Sequence, residues 1–220
     1  MRVLVIGTGN MGRAISTRLL AGGQSVTLYN RTREEAEQVA GELRGVATRG
    51  ATVTVADAPE QAIQDSDVVV LAVWYPVSVQ LAKEYGARLA GKVVLDISNP
   101  LNATYDGLST APGTSAAEAL QAALPAGATV VKAFNTTFAP TLLAGQVAGQ
   151  PLDVFIAGDH GAAKEAVAAL VRGAGLTPID VGALERARQL EGLGFLGITL
   201  QGRLGTHFDT AWKLVLPQSA

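Results

Sequence analysis

Two alternating rhythms of apolar residues run along the chain. Short apolar runs predict strands at Arg2–Ile6, Ser25–Tyr29, Thr52–Val55, Asp67–Val73, Lys92–Asp96, Thr129–Ala133, Asp153–Ala157 and Thr177–Asp180. Between them the spacing predicts helices at Asn10–Ala21, Arg33–Leu43, Pro59–Gln64, Val77–Leu89, Ser115–Ala123, Ala162–Arg172 and Leu184–Leu200. Met11, Ile15 and Leu19 form one stripe of the first helix, which Gly22-Gly23 ends. Val3-Leu4-Val5-Ile6 is apolar throughout, as in a strand covered on both faces. Leu101–Gly113 is rich in turn formers and predicts a loop. Strand and helix alternate, which is the pattern of an α/β fold with a doubly wound parallel sheet. Proline and glycine around Ala144–Pro151 set residues 1–150 apart as the main domain and residues 151–220 as a small C-terminal α/β extension that continues the sheet.

Composition narrows the chemistry. Hydrophobic residues make up 48% of 220 residues and charged residues 16%, so the chain has a core and is not disordered. The net charge of −2, with no basic face, argues against nucleic acid as the partner. The absence of cysteine rules out thiolate catalysis and cysteine metal sites, and two histidines, His160 and His207, are too few for a histidine-rich centre. No metal site is therefore expected. No signal-peptide pattern and no membrane-length apolar stretch occur, so the expected location is the cytoplasm.

Gly7-Thr8-Gly9-Asn10-Met11-Gly12 is a G-x-G-x-x-G that follows a buried-type strand and opens a helix, the context in which that motif binds a dinucleotide. Gly7 allows the tight turn, Gly9 lets the backbone approach a pyrophosphate, and Gly12 lets helix and strand pack closely. The fold expected is thus Rossmann-type. An NAD site places an acidic residue at the end of the second strand; here stand Asn30-Arg31-Thr32-Arg33. Arg31 and Arg33 would attract a 2′-phosphate, and Asn30 and Thr32 can donate hydrogen bonds, so NADP(H) is expected over NAD(H). Thr32 also suits the cap of the next helix.

Three more strand ends share the carboxyl edge where such sheets bind ligands. Ala72-Val73-Trp74-Tyr75 suits the adenine or ribose side, though Trp74 and Tyr75 equally suit packing. Ser98-Asn99-Pro100 and Ala133-Phe134-Asn135 offer small and amide residues to a nicotinamide ring. Asp96 fits a cap or a site. Lys132 and Asn135 invite comparison with the Lys-x-x-x-Asn pair of β-hydroxyacid dehydrogenases but are one residue too close, which favours a cofactor-contact or structural role. His160 reads as the start of a helix, His207 as structural although it could approach a hydride acceptor, and Arg186 and Arg188 as solvated or ion-paired.

Gly7–Gly12, Asn30-Arg31, Ser98-Asn99-Pro100 and Val131–Thr136, with Phe155–Asp159, Lys164, Asp180-Val181-Gly182, Ala187-Arg188 and Leu190-Glu191, resemble the NADPH-dependent coenzyme F420 reductases and equally the cytosolic reductase domains of the STEAP ferric reductases. The resemblance implies a Rossmann domain whose small C-terminal part completes the acceptor site, often as a homodimer. It implies NADP(H) across the sheet's switch point and a second flat ring, F420 or a flavin (FMN or FAD), stacked on the nicotinamide. Hydride would pass directly between the rings with no obligate catalytic acid, base or nucleophile. Three functions fit: hydride transfer between NADP(H) and a small-molecule deazaflavin or flavin acceptor, onward reduction of ferric iron through a flavin, and a non-catalytic NADP(H) sensor.

Overall fold

A computed structural model describes residues 1–217; the last three positions of the C-terminal extension, Gln218–Ala220, lie outside the described residues. The elements in chain order are β1 (Val3–Ile6), α1 (Asn10–Ala21), β2 (Val26–Tyr29), α2 (Arg33–Leu43), β3 (Val53–Val55), α3 (Pro59–Asp65), β4 (Val68–Leu71), α4 (Tyr75–Leu89), β5 (Val93–Asp96), α5 (Ala116–Ala123), β6 (Thr129–Lys132), α6 (Ala139–Ala144), the short strands β7 (Gln146–Val147) and β8 (Gln150–Pro151), β9 (Asp153–Gly158), α7 (Gly161–Gly173), β10 (Thr177–Gly182) and α8 (Ala187–Leu204). Short 3-10 turns at Arg44–Val46 and Leu184–Arg186 adjoin α2 and α8.

One eight-stranded sheet runs β10-β9-β6-β5-β4-β1-β2-β3. Strands β1 to β6 are parallel, in the order of a Rossmann domain, with the chain reversing its winding beside β1. The unbroken apolar runs follow from burial on both sides. Val3, Val5, Val68 and Val70 pack with Ile15 and Leu19 of α1, Val39 of α2, Leu142 of α6 and Val167 and Val171 of α7. The alternate residues Leu4, Ile6, Val69 and Leu71 pack with Ile63 of α3, Ala82 and Leu89 of α4 and Leu120 of α5 on the other face. No helix among the described residues is long and apolar enough to cross a membrane.

The extension continues the sheet in the reverse direction. β9 pairs antiparallel with β6 (Val131↔Gly158, Lys132↔Ala157), and β10 runs parallel to β9. A parallel neighbour needs a long crossover back to the starting edge. Here β6 is followed by the six-residue α6 and the β7–β8 hairpin. The chain re-enters the sheet past the carboxyl end of β6 and runs back along it. Val154, Ile156, Leu170 and Val171 join the same core as β1 and α1, so the extension is built into the sheet. The spacing of apolar residues gave no sign of α6, which has under two turns to show a period. Helix α4 begins two residues before the expected Val77, because Pro76 sits in its first turn, where its missing N–H is harmless.

Gly22 shows how closely the two ends are joined. Its backbone is right-handed (φ −81°), so conformation does not require glycine. Space does: a Cβ there would lie 2.2 Å from the Gly173 carbonyl oxygen at the end of α7. Gly22→Ala is therefore expected to destabilise by about 1–3 kcal/mol, lowering the midpoint in thermal unfolding by roughly 2–4 °C for each kcal/mol. An unchanged midpoint would show that α1 and α7 are not pressed together.

Candidate functional site

The glycine turn is shaped as the motif requires. Gly7 has φ +99°, and a Cβ on it would stand 2.4 Å from the Ala72 carbonyl oxygen. A Cβ on Gly12 would stand 2.0 Å from the Gly7 carbonyl oxygen, so α1 rests directly on the turn. Gly9 is different: nothing lies within 4 Å of where its Cβ would be, and it adopts an ordinary extended backbone. Glycine at position 9 thus leaves open space at the start of α1. No side chain caps that helix, and its first turn carries no acidic residue. Its first N–H groups and the positive end of its dipole are available to an anion.

At the end of β2, the Asn30 amide donates to Thr8 Oγ1 and to a Glu35 carboxylate oxygen, both at 2.7 Å. Arg31 is exposed and has no ion-pair partner among the described residues. Arg33 is engaged, by Glu37 at 2.8 Å and by Asp57. Thr32 occupies the N-cap of α2 without a side-chain capping bond. Of the two arginines, Arg31 is the one left with an uncompensated charge.

Two contiguous cavities open along the carboxyl edge of the sheet. The first, about 350 Å³, is lined by Gly9, Asn10, Met11, Ala72, Val73, Trp74, Ile97, Ser98, Asn99, Leu101 and Ile198. The second, about 440 Å³, shares Asn10, Met11, Trp74, Ile97, Asn99 and Ile198 with it, and adds Phe134, Asn135, Thr137, Phe138, Ala139, Pro140 and Phe208. Trp74, 62% exposed, stands on the rim of both. Among the expected residues, Tyr75 opens α4 and lines neither cavity, while Pro100 and Ala133 are buried behind the lining. Sequence reasoning missed Ile97, Leu101, Ile198, Thr137–Pro140 and Phe208. The last two groups come from the turn into α6 and its first residues, and from the segment after α8, which no local motif marks.

Beneath the cavities lies a buried ionic cluster. Asp96 and Lys132 are register partners at the ends of β5 and β6. Alternation turns both toward α8. The Lys132 ammonium, fully buried, donates to Asp96 (2.7 Å), Glu191 (2.8 Å) and the Ser98 carbonyl (2.6 Å). Asp96 also accepts the Ser98 N–H (3.0 Å), and Glu191 accepts the N–H groups of Ala116 and Ala117 (3.0 and 3.3 Å) at the start of α5. Every lysine proton is used, which fixes Lys132 in a structural role. Desolvation pushes the lysine pKa down, but the two carboxylates outweigh it and hold it above its usual value. Burial raises the Glu191 pKa, and Lys132 offsets that only in part.

The loops after β5 and β6 are braced to each other. Asn99 donates to the Asn135 carbonyl (2.7 Å), and the Asn135 amide donates back to Asn99 Oδ1 (2.9 Å) and to the Leu190 carbonyl (2.8 Å). Gly194 of α8 makes room: a Cβ there would be 2.5 Å from Asn99 Oδ1. Phe134 takes a left-handed backbone (φ 62°) in this turn. In these two loops two buried polar atoms are left without partners, Ser98 Oγ and Asn135 Oδ1. One can donate and one accepts, which fits the carbonyl and NH₂ of a carboxamide.

The family model described as NADP oxidoreductase, coenzyme F420-dependent, matches residues 2–100. A solved structure described as a proposed F420-dependent NADP reductase from Arthrobacter sp. FB24 superposes with a TM-score of 0.84 at 30% identity, covering 98% of this chain and 100% of that one. The chain belongs to the F420-dependent NADP oxidoreductase family. The likeness runs beyond residue 100 over most of the chain. The F420-dependent NADP reductase of Methanothermobacter marburgensis is 29% identical over 210 residues, 91% of this chain and 92% of its own. Metalloreductase STEAP3 of Rattus norvegicus is 34% identical over 195 residues, 87% of this chain, but the match spans only 36% of the rat protein.

Lys132→Met would leave Asp96 and Glu191 buried without their cation. The expected loss is about 3–5 kcal/mol by urea unfolding. Without the lysine the Glu191 pKa rises further, so the folded form takes up protons more readily than the unfolded one. Stability then falls as pH rises from the ordinary carboxylate value of 4.5 through the raised one. The deficit should be larger at about pH 8 than at about pH 5. An equal deficit at both would contradict this account of the cluster.

Proposed function

We propose that the protein moves a hydride between NADP(H), seated in the first cavity, and the flat ring of coenzyme F420, seated in the second. The observation that carries this reading is that the two cavities share a wall and run into each other beside the glycine turn. The open space at Gly9 and the free first turn of α1 suit a pyrophosphate, and Arg31 suits a 2′-phosphate. Ser98 on the wall of the first cavity and Asn135 on the wall of the second would bracket the nicotinamide carboxamide where the two cavities meet and so orient its ring toward the second. NADP(H) supplies or accepts the hydride. The chain holds the two rings in register and excludes water, and its one buried lysine is fully engaged in structure.

Similarity to STEAP3 over 87% of the chain favours a second acceptor class, a flavin such as FMN or FAD, from which electrons could pass to ferric iron. Steady-state oxidation of NADPH with F420, FMN or FAD tests both. Turnover with F420 well above that with the flavins is expected. Turnover with flavins alone would favour the second class. NADPH binding without turnover on any of the three would mean a sensor and would overturn both.

The 2′-phosphate contact has its own test. Arg31→Ala should weaken NADPH binding by an amount equivalent to about 1.5–3 kcal/mol, with NADH affinity unchanged. Equal affinity of the native protein for NADPH and NADH in a calorimetric titration would remove Arg31 from the site.

A further inference from the structure

One wall of the second cavity comes from the segment after α8. The chain leaves α8 through Gly205, and His207 (φ 49°) and Phe208 (φ 66°) are then both left-handed. Two consecutive non-glycine residues in that region are unfavourable and persist only where their surroundings impose them, which is common at functional sites. Here one buried side chain makes most of the side-chain hydrogen bonds to the turn, beside backbone bonds from Thr206 to Gln201 and from Asp209 to Thr206. Gln201 accepts from the Thr206 hydroxyl (2.7 Å) and from the Phe208 N–H (2.9 Å) on its oxygen, and donates to Thr210 Oγ1 (2.8 Å) and the Gly197 carbonyl (2.8 Å) from its nitrogen.

The segment is tied down again further on. Trp212 lies against Gly197, where a Cβ would come within 3.1 Å of the indole nitrogen. Lys213 pairs with the buried carboxylate of Asp153, and the Leu214 N–H donates to the same group at 2.8 Å. Held at both ends, the segment presents Phe208 to the cavity. Its ring meets Phe138 edge to face, with centroids 5.2 Å apart and an interplanar angle of 75°. The ring is not buried in the core; it remains 42% exposed. No charged side chain lines this cavity among the described residues.

We propose that Phe208 is the residue that positions the acceptor's flat heteroaromatic ring against the nicotinamide, and that Gln201 is a positioning residue acting through it. This rests on the reading of the second cavity as the acceptor site. The backbone strain at His207 and Phe208 then has a purpose: it places an aromatic ring on a cavity whose other walls are mainly aliphatic, amide and aromatic. Recognition is by stacking and edge contact, and not by ion pairing.

The test uses the whole protein loaded with NADP⁺, so that no hydride is available and only binding is read. F420 and FMN are the probes, followed by quenching of their fluorescence. Phe208→Ala should weaken binding of the preferred probe about tenfold, the order of a lost aromatic contact, and leave the NADP⁺ dissociation constant within about twofold. Phe208→Tyr should restore probe binding, whereas Phe208→Leu should not. In turnover with NADPH, Gln201→Ala should raise the acceptor KM more than it lowers kcat. Unchanged probe binding in Phe208→Ala would overturn the proposal. So would full rescue by leucine, which would mean simple packing, or a parallel loss of NADP⁺ binding, which would mean general collapse of the cleft. Failure of the native protein to bind either probe would overturn both this proposal and the acceptor-site reading on which it rests.

Discussion

A lysine with no exposure to solvent holds this site together. Lys132 binds Asp96, Glu191 and the Ser98 carbonyl at once, and so fastens β5, β6, α8 and the loop above them to one point. Glu191 carries the connection onward to the start of α5. Burying one positive and two negative groups is costly, and apolar replacements often match or exceed the stability of such clusters. What the cluster supplies here is position. It fixes the backbone of Ser98 while leaving the Ser98 hydroxyl without a partner, next to a reciprocal Asn99–Asn135 brace that likewise leaves one oxygen unused. Rigid loops with free polar atoms are what a carboxamide-bearing ring needs in order to be held in one orientation.

The same geometry explains the glycines of the long last helix. Gly194 lets α8 press on the Asn99–Asn135 brace, and Gly197 lets it accept Phe138 and Trp212. Larger residues at these two positions would push the helix away from the edge of the sheet. The helix thereby contributes Glu191 to the ionic cluster, the Leu190 carbonyl to the brace and Ile198 to the cavity wall.

How much of this could be read from the sequence depended on how local the signal was. The order of strands and helices was legible because each apolar run or stripe is contained within one element. The glycine turn was legible because the motif lies in six consecutive residues directly after a strand and before a helix. The role of Lys132 was not, because its partners are 36 and 59 residues away and nothing in the spacing joins them. Arg33 looked as free as Arg31 until Asp57 and Glu37 were seen beside it. The reversal of β9 was hidden for a related reason: strand pattern is the same in either direction, and only the brevity of the connection through α6 decides it. The second cavity was least legible, since Ile198 and Phe208 reach it only through packing of the last helix and the segment after it.

If the two cavities hold two rings face to face, hydride passes from one carbon to the other without visiting solvent, and from only one face of the nicotinamide. The most direct measurement is label transfer with NADPH carrying deuterium at either the pro-R or the pro-S position of C4, with F420 as acceptor and the reduced deazaflavin analysed by mass spectrometry. The account predicts that deuterium from one of the two labelled forms appears on the ring carbon of F420, that the other form transfers none, and that solvent deuterium is not incorporated there. Transfer from both forms, or loss of the label to water, would contradict it.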